Sequence, residues 1–278
     1  MLLRIRKRNI TILTILVILI SGLLAGPYIF VHFPRTCIPR VDDPSARANE
    51  NTTITILSGE LCNAPYSDSK CRIIGPLSYY NRREYTNHHQ GRYTLRDEFT
   101  PHFESAIAKG YVPAWAKITI LLEELERPDS EFPEGVRRPD WIFWIDTDVM
   151  IANMDIKLER FVDERYSLII TEDLNYLNAG VFLLKIDDWS RKFMRDIWSH
   201  AGNDFNEQDW IIKLIAAHSE YRDRVKYLPQ CSFNSYWHTK KLYEMFRPGD
   251  FAVHWAGHNY DLASFRDWQV LRYFKFSK

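Results

Sequence analysis

Asp146-Thr147-Asp148 stands directly after Trp141 to Ile145 (WIFWI), an apolar run with two tryptophans. Two carboxylates two positions apart, where a buried strand gives way to a turn, can converge on one cation. Hard oxygen ligands suit Mn2+ or Mg2+ and leave positions open for diphosphate oxygens. A cation held there offsets the charge of a departing nucleotide diphosphate. A capped turn or a solvated acidic loop would use the same triplet. His254 is a candidate third ligand. It follows the apolar Phe251-Ala252-Val253 and precedes Trp255-Ala256-Gly257. A neutral imidazole completes such sites, and a core histidine bonded to backbone is the bland alternative. Asn178-Ala179-Gly180 precedes another apolar run. Glycine admits a ligand close to the backbone and asparagine bonds sugar hydroxyls, although an ordinary turn uses the same residues. Glu207-Gln208-Asp209 opens a helix, where acids complement the dipole and capping alone accounts for them.

The surrounding pattern says what positions these groups. Thr53 to Leu57 (TITIL), Trp141 to Ile145, Ser167 to Thr171 and Gly180 to Leu184 read as buried strands. Ser78 to His89, the stretch from Pro113 to before Pro128, Ser190 to His200 and Glu207 to His218 read as helices. Trp115, Ile118, Leu121, Leu122 and Leu125 fall on one face of the second. Strands alternating with helices predict an α/β domain with a mainly parallel sheet. Ligands of such sheets bind beyond the carboxyl ends of the strands. Those ends are Ser58-Gly59, Asp146-Thr147-Asp148 and Glu172-Asp173, and carboxylates gathered at one rim call for a cation.

The chain has 278 residues, with Lys+Arg and Asp+Glu equal at 36 each. That balance argues against a nucleic-acid partner. Hydrophobic residues at 46% exclude wholesale disorder, and four cysteines exclude a disulfide scaffold. Asn9 to Phe33 carries no charged side chain and follows Arg4, Arg6, Lys7 and Arg8. The apolar length fits a membrane span, and the basic flank puts the N-terminus in the cytosol. The expected order is a cytosolic tail over 1–9, a signal-anchor over 10–33, a stem over 34–50 and a lumenal domain over 51–278. A cleaved signal peptide, cut near Leu24-Ala25, is the alternative. Asn51-Thr52-Thr53 is a glycosylation sequon that fits a lumen. Cys62 and Cys71 are close enough to bridge a loop, Cys37 could link two chains and Cys231 could stay free and buried.

Six blocks, in order, carry a resemblance. They are PAWAKI (Pro113–Ile118), WIFWIDTDVMIANM (Trp141–Met154), LIITEDLNYLNAGVFLL (Leu168–Leu184), NEQDWI (Asn206–Ile211), FNSYW (Phe233–Trp237) and FAVHWAG (Phe251–Gly257). The sequence resembles the glycosyltransferase family of alpha-1,2-galactosyltransferases, mannan polymerase alpha-1,6-mannosyltransferase subunits and xyloglucan xylosyltransferases. The resemblance implies a type II Golgi membrane protein of GT-A fold, with a Rossmann-like nucleotide half joined to an acceptor half. It also implies Mn2+, a nucleotide-sugar donor, a glycan or glycoprotein acceptor, alpha linkages formed with retention, and a homo- or hetero-oligomer as an assembly to test. By motif, Asp146, Asp148 and His254 match the metal ligands. Asn178 and Gly180 match the block lining the donor sugar, and Glu207 and Gln208 the pair beside the reaction centre. Lys117 matches a lysine in the Trp-Ala-Lys block whose bland role is a solvated helix face, and Asp173 an acid that bonds the transferred sugar. His258 stands where relatives often carry Cys, and a His-Gly pair reads His89-Gln90-Gly91.

The expected function is transfer of a hexose or pentose from UDP-galactose, GDP-mannose or UDP-xylose to a glycan hydroxyl, with Glu207 or Gln208 beside the reacting carbon. Inversion with Glu207 as base, a silent scaffold subunit of a Golgi complex and a sugar-nucleotide hydrolase are the rival readings.

Overall fold

The computed structural model describes residues 37–38, 41–42, 44–49, 51–59, 71–97, 100–173, 176–237 and 245–256. The expected tail and anchor, part of the stem, Cys62, Gly257 and His258 lie outside the described residues, as does the Cys71 side chain. Among the described residues no helix is long and apolar enough to cross a membrane.

The β-branched run Ile54–Leu57 forms β1. Helix α1 (Cys71–His88), strand β2 (Thr94–Arg96) and helix α2 (Thr100–Ala108) follow. Pro113 opens a 3-10 turn that leads into α3 (Ala116–Glu126). The helix stops because Arg127, preceding Pro128, takes an extended ψ of 121°. Strands β3 (Trp141–Ile145), β4 (Val149–Ile151), β5 (Leu168–Thr171) and β6 (Asn178–Lys185) come next. Helix α4 (Asp188–Trp198) starts where Asp187 accepts a bond from the Ser190 amide. Helix α5 (Glu207–Ala217) is closed by a capping box between Asn206 and Asp209. A short α6 (Ser219–Arg222), then β7 (Val225–Leu228), β8 (Ser235–Tyr236) and β9 (Ala252–His254) complete the order.

Six strands form one sheet in the order β2-β1-β3-β6-β5-β7, and β4-β9-β8 form a second. In the larger sheet β1 runs parallel to β2 and β3, and β5 parallel to β7. Strand β6 runs antiparallel to both β3 and β5, so the mainly parallel expectation is corrected to a mixed sheet. Residues 172–177 join β5 to β6, too short a link for the crossover that a parallel return requires. The reversal brings the first residues of β6 to the rim where β3 ends.

Strand β3 is buried on both faces, which is why it reads as an unbroken apolar run. Ile142 and Trp144 pack with Trp115, Ile118, Leu121 and Leu125 before and along α3, and with Phe193 and Ile197 of α4. Leu122, expected on that face, is only partly buried. Trp141, Phe143 and Ile145 pack the other way, onto Tyr85 of α1 and onto Phe161, Phe233 and Phe251. His89-Gln90-Gly91 is the end of α1, with Gln90 and Gly91 at left-handed φ of 55° and 73°.

Cys37 and Cys231 are bonded, 194 residues apart in sequence. This corrects the expectation that Cys37 links chains and Cys231 stays free. The described part of the expected stem lies on the domain: Val41 and Ala46 are buried, and Arg47 forms a β-bridge with Asp163. Closing so long a loop restricts the unfolded chain by about 5 kcal/mol in the chain-entropy account.

Asp163 is wholly buried and accepts from Arg165 Nε (2.9 Å) and from Lys226 Nζ (2.7 Å). Burial alone would raise its carboxyl, but Arg165 and Lys226 outweigh it and bring the carboxyl from 3.8 down to about 2. The stabilisation is therefore full above the unfolded value and is lost as the pH falls through about 2. Asp163→Asn is expected to cost about 2 kcal/mol near neutral pH in urea unfolding. The gap to wild type should close as the pH is lowered from about 4 to below 2, and a constant gap across that range would contradict the assignment.

Candidate active site

The Asp146-Thr147-Asp148 turn is fixed from four directions, three of them through its backbone. The Asp146 amide donates to Gly180 O of β6 (2.8 Å), and the Asp146 carbonyl accepts from the Val149 amide and from Arg82 of α1. The Thr147 carbonyl accepts from the Ser78 hydroxyl, and the Thr147 hydroxyl donates to Gly59 O (3.1 Å). The Asp148 carbonyl accepts from the Trp255 amide at the end of β9 (3.0 Å). With the main chain committed, the carboxylates are aimed by what their oxygens meet.

Asp146 Oδ1 accepts from Trp144 Nε1 at 2.6 Å. Both its oxygens lie near Lys117 Nζ, at 3.2 and 3.3 Å. Lys117 comes from the first turn of α3 and is buried, with Glu207 Oε1 at 2.8 Å and Ala179 O at 2.9 Å. It is not a solvated helix-face residue. Burial favours its neutral amine, but Asp146 and Glu207 outweigh burial and hold the ammonium well above the usual lysine range. The Asp146 carboxyl is pushed up by desolvation, with Lys117 opposing and Asp148 and Glu207 adding to the rise.

Asp148 Oδ1 lies 3.3 Å from His254 Nε2. His254 is buried on β9. Desolvation lowers its pKa, but the Asp148 carboxylate outweighs that and holds the ring above the usual histidine range. Its Nδ1 meets Asn234 Oδ1 at 2.5 Å.

Asn178 and Ala179 belong to β6 together with Gly180, rather than to a turn before it. Asn178 Nδ2 donates to Asp173 Oδ2 (2.9 Å), which also accepts from the Tyr236 hydroxyl (2.5 Å). Asn178 Oδ1 accepts from the Gly180 amide (2.9 Å). Burial, together with Asp173, raises the Tyr236 phenol, which stays a donor. A Cβ at Gly180 would stand 2.8 Å from His254 Cε1, 2.9 Å from Asn178 Oδ1 and 3.3 Å from Asp146 Oδ2. Glycine is thus required where these three side chains meet.

Glu207 and Gln208 do not cap α5, because Asn206 and Asp209 do so. Glu207 is buried against Lys117, and Gln208 Oε1 accepts from the Ala179 amide (2.8 Å). Ser58 is buried at the end of β1, and the bare Cα of Gly59 makes room for Phe103 and Ile120. Neither reaches the acids except through the bond from Thr147 to Gly59 O.

Asp146, Asp148, His254, Asn178, Gly180, Lys117, Glu207, Gln208 and Asp173 therefore share one rim. Among the described residues, the donor atoms of Asp146, Asp148 and His254 do not all lie within 4.8 Å of one another. Asp146 leans on Lys117, and Asp148 on His254. Asp146 and His254 over Gly180, with Asp148 beside His254, offer two carboxylates and an imidazole, a donor set whose chemistry fits a hard divalent cation. The group of Cys37, Cys231 and Asp250 does not, because its sulfurs are in the disulfide. Sequence reading missed Asn234, Tyr236 and Tyr176. The first two lie inside the FNSYW block that it quoted. Tyr176 is 81% exposed, with a left-handed φ of 79° that a bulky residue rarely adopts.

The mixed sheet and its covering helices form a GT-A-like glycosyltransferase fold. The chain belongs to the galactosyl transferase GMA12/MNN10 family, whose sequence pattern matches residues 52–165 and 162–263. It is 25% identical over 247 residues to the probable alpha-1,6-mannosyltransferase MNN10 of Saccharomyces cerevisiae, covering 72% of this chain and 59% of that protein. It is 25% identical over 256 residues to an uncharacterized alpha-1,2-galactosyltransferase of Schizosaccharomyces pombe, covering 75% and 62%. The chain thus spans about three fifths of the length of these two relatives. The crystal structure of a glycosyltransferase involved in the glycosylation of the major capsid of PBCV-1 shares the fold. Its TM-score is 0.53 and its identity 15%, over 80% of this chain and 99% of that one.

Lys117→Met strips the cation from two acids and is expected to cost about 3–5 kcal/mol in urea unfolding. Lys117→Met with Glu207→Gln should recover part of that loss. A single variant as stable as wild type would show that the buried pair is not the support described.

Proposed function

We propose that this chain is a metal-dependent, retaining glycosyltransferase. It moves a hexose or pentose from a nucleotide diphosphate sugar (UDP-galactose, GDP-mannose or UDP-xylose) to a glycan hydroxyl, forming an alpha linkage. The observation that carries the reading is the meeting of Asp146 and His254 over the bare face of Gly180, with Asp148 paired to His254. Membership of a glycosyltransferase family supports the reaction class.

Asp146, Asp148 and His254 would hold a divalent cation, Mn2+ or Mg2+, which when bound supplies positive charge against the leaving diphosphate. Lys117 fixes the Asp146 carboxylate in place. Asp173, Asn178 and Tyr236, already bonded to one another, orient the sugar hydroxyls. Gln208 braces β6 at Ala179 and so acts on the sugar through Asn178 and Gly180. Glu207, buried against Lys117, is placed to contribute charge and position rather than to act as a base. That favours retention, in which the acceptor proton passes to the departing phosphate on the same face. Tyr176 offers acceptor sugars a flat, exposed ring beside Asp173.

The matching topology is a tail over 1–9, an anchor over 10–33, a stem over 34–50 and a domain over 51–278 in the Golgi lumen. The Cys37–Cys231 bond supports an oxidising compartment.

Asp148→Ala should abolish Mn2+-dependent nucleotide release from whichever of the three donors wild type uses, with the circular dichroism spectrum unchanged. Turnover by that variant in excess chelator overturns the metal reading. A wild-type chain that consumes none of the three donors with any glycan acceptor overturns the transferase reading.

A further inference from the structure

His254 has one nitrogen facing each of two acceptors. Nδ1 faces Asn234 Oδ1 at 2.5 Å, and Nε2 faces Asp148 Oδ1 at 3.3 Å. Ligation requires a neutral ring, which carries a single proton, and in that state the two acceptors compete for it. Only a ring whose Nε2 is bare can ligate a cation on the Asp148 side. If the proton sits on Nε2, His254 and Asp148 satisfy each other and both donors are lost to a metal.

Asn234 is built to win that competition. It is fully buried, between a 3-10 turn (Gln230–Ser232) and β8. Its amide donates to Gln230 O (2.8 Å), and its carbonyl accepts from Gln230 Nε2 (3.0 Å). Phe233, just before it, is locked between Phe143 and Phe161. Just after it, β8 pairs with β9 so that Tyr236 stands opposite His254, and the Trp237 amide donates to His254 O. The Asn234 backbone therefore cannot drift from the ring. Its oxygen faces His254, while its side-chain amide also acts on the Tyr236 phenol.

We propose that Asn234 is a positioning residue that holds His254 as the Nδ1–H tautomer and thereby presents Nε2, with Asp148, to the divalent cation. The inference rests on the metal reading above. Outer-sphere acceptors of this type set ring orientation and basicity, and their loss typically lowers metal affinity about 10–100-fold.

The test compares wild type with Asn234→Asp, which keeps an acceptor on Nδ1, and Asn234→Leu, which removes it. Asn234→Ala replaces the leucine variant if leucine does not fold. Two readouts are taken on the full chain: Mn2+ affinity by electron paramagnetic resonance of free Mn2+, and the metal-free imidazole tautomer by long-range 15N correlation at a pH where the ring is neutral. Wild type and Asn234→Asp are expected to show the proton on Nδ1 and similar Mn2+ affinity. Asn234→Leu should show the proton on Nε2 and an affinity lower by about 10–100-fold. The proposal is overturned if the leucine or alanine variant keeps the wild-type tautomer and affinity. It is equally overturned if the aspartate variant, folded by circular dichroism, loses affinity as far as the leucine one. A wild-type chain that binds no Mn2+ overturns the metal reading and the presentation of Nε2 with it, while the nitrogen spectra still report whether Asn234 sets the tautomer.

Discussion

Lys117 Nζ lies in the interior with two carboxylates and a main-chain carbonyl around it. Taking an ammonium out of water costs several kcal/mol, and only close, well-oriented partners offset it. That requirement organises the rim. It brings the first turn of α3 against the end of β3, where Asp146 waits. It turns the first side chain of α5 inward, so that capping falls to Asn206 and Asp209. It also uses the Ala179 carbonyl, while the amide of the same residue takes Gln208. Three elements distant in sequence are thereby brought to one charge centre, and the open face beside it belongs to Gly180.

Local features were legible in the amino-acid sequence because their causes are local. WIFWI reads as a strand covered on both sides, and the structure buries all five residues. The Pro113 start and Pro128 stop of the helical stretch that becomes α3 follow from proline's fixed φ and its effect on the preceding residue. The acids fall at a strand end because the apolar run must stop where the chain reaches solvent.

What was not legible depends on contacts between distant segments. Whether β6 runs with or against β3 turns on the shortness of residues 172–177 and on pairing partners that periodicity does not name. With that pairing the strand begins at Asn178, two residues before the expected Gly180. Glu207 looked like a helix cap because capping is the local explanation, and the competing cation is supplied from Lys117, far upstream. Asn234 sits inside a quoted motif, yet nothing in FNSYW says which ring its amide meets. The pairing of Cys37 with Cys231 is likewise invisible to spacing.

That last bond joins the start of the described chain to a position three residues ahead of Asn234. The turn it ties down is the one that fixes the asparagine beside His254. A host that keeps thiols reduced would make this protein without that tie. The setting of that imidazole would then carry a memory of the redox conditions under which each molecule was synthesised, so preparations of identical sequence need not be chemically equivalent.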